Sequence, residues 1–382
     1  MNRDSDYKLS KTQSLKVAIL GAGASGCVCA YHLLKAGIEV TLFDKNLPLM
    51  TLLPTGGGRC NLAHAEYDYR ELARNYPRGE KFLYSVFSRF STSDTIKMFD
   101  EMGIETYIQD DGRIFPKSNS AMAVQKIILN KLREMGANFI QCKVNDISEL
   151  INKYHSVVIA IGGHSGCEIL KPFNIKIITQ KPSLVGLNTK ENFKELSGTV
   201  IKNATIDNFS GDMIFTHFGI SGPLIYTISS INAFKNFPYQ ILVNLVSTPI
   251  DLQKILNSNP HKEIKNILAE FLPLKIARYI LSDIDETTKA HMINAKTRDF
   301  ILNKIHNFEI FITGPNKGEE TVTAGGVDLN EVNPKTMELK KIPNLYCIGE
   351  ILNIDGLCGG FNLQNAWSTA YVCAQGIISK GI

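Results

Sequence analysis

The chain has 382 residues, of which 44% are hydrophobic and 20% charged, and it carries a formal net charge of +4. This composition belongs to a folded chain with a sizeable core and room for two or three domains, and it excludes a disordered or fibrous protein. The mild positive charge permits an anionic partner without requiring one. Eight cysteines occur without a C-x-x-C pair, no metal-ligating set stands out and no apolar run is long enough for a membrane span. Reduced thiols in a cytoplasmic protein are therefore expected. Residues 1–14 are polar and lack a signal-peptide core.

The stretch Lys16 to Asp44 organises the rest. Val17 to Leu20 is a short apolar run, as in a strand buried on both faces. Gly21, Gly23 and Gly26 then fit G-x-G-x-x-G, with Ala24 and Ser25 in the first turn of the following helix. That helix aims its free N–H groups at a pyrophosphate. A second strand, Val40 to Phe43, ends at Asp44, eighteen positions after Gly26 and followed by Lys45. A carboxylate there can accept hydrogen bonds from a ribose diol, so this stretch is read as dinucleotide-binding.

Thr55-Gly56-Gly57-Gly58-Arg59-Cys60-Asn61 follows. Consecutive glycines are costly to order, so this backbone is expected to lie close to a ligand, with Arg59 and Asn61 as hydrogen-bonding groups. Residues 79–103 have helical periodicity with Ser93 as the cap, and Gly112 to Pro116 is a turn and an extended segment. Ala121 to Met135 is a helix, with Gly136 closing it. Asn138 to Val144 reads as a strand whose end, Val144, is counted with the cofactor contacts. Ser156 to Ile161 is another buried strand and ends at Gly162.

From about Lys181 the texture becomes that of an antiparallel β unit, with strands expected at Ser183–Leu187, Thr199–Ile206 and Asp212–Thr216. His217, in an aromatic and glycine-rich loop, is a candidate acid or base. Leu252 to Ile305 turns helical, with Pro273 ending one helix. Lys262, Lys265, Lys275, Arg278, Lys296, Arg298 and Lys304 form a candidate basic surface for RNA. The first texture then returns. A strand within Ile342 to Glu350 ends in Gly349-Glu350, and Asp355 to Gln364 opens a C-terminal helix through Gly359, Gly360, Phe361, Asn362 and Leu363. A second strand–acid–glycine–helix module suits a flavin better than a nicotinamide, so the expected dinucleotide is FAD. No covalent flavin-linkage motif is present, and FAD is expected to be non-covalent.

These residues carry a resemblance. Gly21–Gly26, Thr55–Asn61, Gly112–Pro116, Phe215–Pro223, Val322–Val327, Asn333–Glu338 and Gly359–Gln364 match, in order, motifs of the bacterial flavoproteins of the BaiN/RdsA type, also called aminoacetone-oxidase-like. The resemblance implies an α/β fold. Its parts would be a Rossmann-like FAD-binding domain split over residues 1–185 and 313–382, an inserted β-barrel over 186–250 and 306–312, and a helical subdomain over 251–305. Two positions depart from the family pattern, Asn365 in place of an aromatic and Gly57 in place of a frequent asparagine. The implied activity is NAD(P)H-dependent reduction of an activated C=C bond, in a steroid-like enone or a ribosomal RNA uridine, with NAD(P)H a transient reductant. An amine oxidase using oxygen and a non-catalytic flavin redox sensor are the alternatives. Cys358, Cys60 and His217 are the candidate proton donors. The oligomeric state is left open.

Overall fold

In the computed structural model, residues 15–163, 166–316, 318 and 322–381 are described. They cluster into two compact units. One runs to Thr179 and resumes over Gly325–Ile354 and from Gly359 onward; the other comprises Gln180–Ala324 with Asp355–Cys358. The strands Ile177–Ser183 and Val322–Val327 pair as the chain passes between units.

The first unit holds a five-stranded sheet in the spatial order Leu345–Cys347, Ser156–Ile159, Lys16–Leu20, Glu39–Asp44, Asn138–Gln141. Every pairing is parallel, with Val17 opposite Val40, Ala18 opposite Val157 and Leu42 opposite Phe139. Val17 to Leu20 and Val157 to Ile159 are buried, because layers cover both faces of such a sheet. The order reverses between Lys16–Leu20 and Ser156–Ile159, the first and fourth strands of this sheet in chain order, and open α/β sheets bind ligands at the carboxyl ends of strands flanking that reversal.

The helix Ala24–Lys35 packs beside the long C-terminal helix Phe361–Gly381 and against Ala121–Glu134. The helical stretch 79–103 consists of two helices, Glu80–Phe87 and Thr92–Glu101. The second is capped by Ser91 rather than Ser93. Asp94 stands three residues after Ser91, and its carboxylate accepts the Ser91 N–H at 2.7 Å, completing a capping box. The strand expected over Asn138–Val144 stops at Gln141.

His32 sits among the rings of Tyr31, Phe90 and Tyr371, with centroids 5.1, 6.0 and 5.0 Å away. Burial first, and then the charge of Lys35, lower its pKa to about 4, against a smaller opposing effect of Glu101. A folded-state pKa below the unfolded value of about 6.5 stabilises above that value and is lost as pH falls toward the folded pKa. Between pH 7 and 4.5 the wild-type chain should therefore lose about 2–3 kcal/mol more stability than His32→Leu. Urea midpoints at the two pH values test this, and equal losses in both proteins would contradict it.

The second unit holds a six-stranded antiparallel sheet in the order Val200–Ile206, Phe209–Phe215, Gly219–Ser221, Leu187–Thr189, Phe308–Pro315, Tyr239–Val243. Its two ends meet where Thr205 and Asn244 exchange backbone hydrogen bonds of 2.9 Å each way, so the sheet closes into a barrel. The expected strand Ser183–Leu187 is interrupted, since Leu184 takes a φ of +52°. Four helices, Leu252–Ser258, Ile264–Leu268, Leu274–Ile280 and Ala295–His306, share the barrel's apolar core. Tyr279 lies 5.8 Å from Phe193 and 5.7 Å from Phe308. Pro273 opens the helix Leu274–Ile280 instead of closing the one before it, as its fixed φ suits a helix start. Among the described residues, no helix is long and apolar enough to cross a membrane.

Candidate functional site

The three glycines of the first loop are alike in sequence and differ in space. A Cβ on Gly21 would lie 2.2 Å from the Ala160 carbonyl oxygen, and one on Gly26 would lie 1.9 Å from that of Gly21. Both are glycines because the protein itself comes too close. A Cβ on Gly23 would meet only Thr51 Oγ1, at 3.7 Å. Packing does not explain that glycine, and it stands at the N-terminus of the helix Ala24–Lys35. That terminus has no side-chain cap and no acidic residue in its first turn. Its N–H groups at Ala24 and Ser25 therefore suit an anion.

Asp44 stands beside this loop. Its Oδ2 accepts the Ala22 N–H at 2.7 Å and its Oδ1 accepts the Asn46 N–H at 2.8 Å. The carboxylate thus shapes the loop and keeps lone pairs for a diol. Asp44→Ala should weaken FAD binding by about 1.5–3 kcal/mol, the scale of hydrogen bonds to a charged group. Fluorescence titration of apoprotein with FAD measures it, and an unchanged Kd would remove Asp44 from the site. Lys45 is exposed next to it, and half-buried Val144 follows the neighbouring strand, whose Cys142 N–H donates to the Asp44 carbonyl at 2.8 Å.

The turns after the fourth and fifth strands close on the same place. A Cβ on Gly349 would lie 2.5 Å from Ser25 Oγ, and one on Gly162 would lie 3.8 Å from Glu350 Oε2. The Gly349 N–H donates to Thr369 Oγ1 of the C-terminal helix at 3.0 Å. Gly21, Ser25, Gly162, Gly349 and Glu350 are thereby brought together.

A second cluster forms around Thr55–Asn61. Added Cβ atoms on Gly57 and Gly58 meet nothing within 4 Å, whereas Gly56 is pressed to 2.8 Å from both Asn61 N and Phe115 Cε1. Thr55 Oγ1 donates to Leu52 O at 2.6 Å. The Arg59 guanidinium lies 4.1 Å over the Phe115 ring, and its Nε donates to Gly56 O at 3.2 Å. The start of the C-terminal helix meets this loop. A Cβ on Gly360 would lie 2.4 Å from Ala63 O and 2.8 Å from Asn61 Oδ1. Trp367 Nε1 donates to Leu62 O at 2.9 Å, and the Tyr76 hydroxyl to Phe361 O at 2.5 Å. Asn61 is only 8% exposed, and its Oδ1 has no hydrogen-bond partner among the described residues. Asn362 and Leu363 are half-buried on the first helical turn.

His64 is absent from the sequence reading and belongs to this cluster. Its Nδ1 lies 3.1 Å from Gly359 O, and its ring stacks on Phe361 at 4.7 Å. A Cβ on Gly112 would lie 2.7 Å from His64 Nε2. That glycine, inside a recognised motif, was the signal that something must come close.

The candidate proton donors differ in exposure. Cys60 is wholly buried, and burial pushes its thiol up to about 12. Cys358 is exposed. His217 is exposed in a turn of the barrel unit, 5.2 Å from Phe218. The Asp355 side chain is engaged inside the protein. That carboxylate is fully buried, and Oδ2 accepts from Ser183 Oγ and Ser230 Oγ, each at 2.9 Å. The basic surface is also weaker than its lysine count. Lys262 pairs with Glu270, Lys265 with Glu263 and Glu286, Arg278 with Glu286, Arg298 with Asp299 and Lys304 with Asp283.

The residues fit a dinucleotide. Room for a Cβ at Gly23, Gly57 and Gly58 and, among the described residues, an unpartnered acceptor at Asn61 make a cradle. A family model described as the HI0933-like protein Rossmann domain matches residues 15–376. The chain belongs to the HI0933-like family. The BaiN/RdsA resemblance of its motifs holds, and this is a family of FAD-dependent oxidoreductases. The chain is 29% identical to a ribosomal RNA dihydrouridine synthase of Escherichia coli (strain K12), over 94% of this chain and 97% of that protein. It is 28% identical to the Haemophilus influenzae protein of the same name, over 94% and 97%. It is 24% identical to a 3-dehydro-bile acid delta(4,6)-reductase of Clostridium scindens, over 94% and 98%. As an HI0933-like protein it thus matches relatives along almost their whole length.

Proposed function

We propose that this HI0933-like protein reduces a C=C bond conjugated to a carbonyl, with non-covalent FAD as its cofactor and NAD(P)H as reductant. We favour a ribosomal RNA uridine over a small enone as substrate. What supports the reading is that relatives matching nearly the whole chain, named for two unrelated substrates, share one bond type.

In this reading the N–H groups at the start of helix Ala24–Lys35 hold the diphosphate beside Gly23, and Asp44 holds a ribose. Asn61 and the first turn of the C-terminal helix meet the ring. When bound, FAD supplies two-electron hydride chemistry. The glycine cradle orients the reacting face, and Cys358, the residue before Gly359, delivers a proton from Sγ to the carbon α to the carbonyl. The hydride equivalent that leaves NAD(P)H ends on the β carbon. The C=C π bond is consumed, NAD(P)⁺ departs, and the thiol regains its proton from water. Cys358 is preferred to Cys60 because only Cys358 reaches the surface.

The test is anaerobic. The yellow protein should bleach with NADH or NADPH and recover colour when a uridine-containing ribosomal RNA fragment is added, with dihydrouridine formed. RNA binding should weaken steeply with salt, because phosphate contacts release counterions. Recovery with an enone alone, indifferent to salt, would move the substrate to the small-molecule class. Fast reoxidation by oxygen with peroxide formed from an amine would replace the reductase reading with the oxidase one.

A further inference from the structure

We infer that His64 is a positioning residue for the flavin, holding the Gly359–Gly360 peptide so that the reduced ring is favoured over the oxidised one; this inference rests on the FAD reading above. A carbonyl oxygen has no hydrogen to give, so at 3.1 Å from Gly359 O it is His64 Nδ1 that donates. The imidazole is fixed on its other sides, stacked on Phe361 with the planes 27° apart and closed in by Gly112 near Nε2. In a trans peptide the C=O and the following N–H point in opposite directions. With the Gly359 carbonyl turned to His64, the Gly360 N–H is turned away from it, at the start of a 21-residue helix with a partial positive charge at that end.

Gly359 and Gly360 have φ of +139° and +102°. Such a backbone does not hold its orientation unaided, and the His64 bond supplies a hold. Beside it stands Asn61, whose buried Oδ1 lacks a donor and lies 2.8 Å from where a Gly360 Cβ would be. An acceptor in need of a hydrogen next to a directed N–H is the complement of an edge that carries both an N–H and a carbonyl. The pyrimidine edge of an isoalloxazine is such an edge. An N–H aimed at it stabilises the negative charge that the ring gains on reduction.

The test uses the FAD-loaded protein and reads the midpoint potential by equilibration with a reference dye, with FAD Kd and visible spectrum alongside. His64→Phe keeps the stacking and removes the donor. It should weaken the preference for the reduced form about tenfold, a midpoint roughly 30 mV lower for a two-electron couple, with FAD Kd changed by less than about threefold. His64→Asn restores a donor of similar reach and should recover at least half of the shift. Should His64→Phe fail to fold, His64→Asn against His64→Leu, matched in size, should show the same difference. A donor-free variant that binds FAD at the wild-type midpoint overturns the inference. A wild-type protein that binds no FAD overturns the reading beneath it instead.

Discussion

A protein carrying valine at position 23 is expected to fold and to purify colourless. The glycine's surroundings decide this. Around Gly23 the protein comes no closer than Thr51 Oγ1 at 3.7 Å, so the added side chain has room to exist. It would fill the space in front of the helix N-terminus where a diphosphate must lie. FAD affinity should fall at least about 100-fold, roughly 3 kcal/mol. Stability should change by no more than about 1 kcal/mol, because glycine is only a moderately good N-cap and valine a poor one. Gly26→Val is the contrast. Its side chain would run into the Gly21 carbonyl at 1.9 Å, and that variant should fail to fold. Titration with FAD and thermal unfolding of Gly23→Val separate the two effects. A yellow, tightly loaded Gly23→Val would place the dinucleotide elsewhere.

Trp367→Ala should cost about 3–5 kcal/mol, the range for deleting a buried tryptophan. The side chain has no exposed surface, packs edge-on to Phe99 at 5.3 Å and donates to Leu62 O at 2.9 Å. The carbonyl it leaves belongs to the residue after Asn61. The loop Thr55–Asn61 should loosen with the core, and FAD should dissociate faster. Trp367→Phe fills most of the cavity and removes only the hydrogen bond, for about 1–3 kcal/mol. Urea unfolding reads the stabilities, and release of FAD into an excess of an FAD-specific apoflavoenzyme reads the dissociation. Equal losses in the two variants would show that the indole N–H, not volume, sets the stability.

The strand–glycine–helix–strand opening was legible because each part is local: an apolar run of strand length, three glycines in register, a carboxylate at the next strand end. The C-terminal return was legible for the same reason. What was not legible depends on contacts distant in sequence. Gly21, Gly23 and Gly26 are one motif on the page, and only the approach of Ala160 and the bend of the loop separate packing glycines from the one facing a ligand. Cys60 and Cys358 both lie within two residues of a glycine, and only three-dimensional burial tells them apart. The lysines of the helical segment read as a basic face because Glu286 and Asp283 lie some twenty residues from the Lys265 and Lys304 they neutralise. Asp355 reads as a cofactor ligand until Ser183 and Ser230, more than a hundred positions away, take its carboxylate. His64 had no local pattern at all, and it acquires meaning from Gly359 and Gly112.

The sheet of the first unit has its two ends in time as well as in space. Lys16–Leu20 leaves the ribosome some three hundred residues before the strand Leu345–Cys347 and the helix Phe361–Gly381 that lies along Ala24–Lys35. During synthesis the early βαβ piece must wait with an uncovered helix face and an unpaired edge on Ser156–Ile159, while nearly all of the barrel unit has already emerged. A nascent chain that has left the ribosome up to about residue 340 should accordingly protect its barrel from protease and leave its nucleotide-binding half open to cleavage. That interval is when the chain is most exposed to aggregation; a holdase should shield it, and an early supply of the missing C-terminal segment in trans should shorten it.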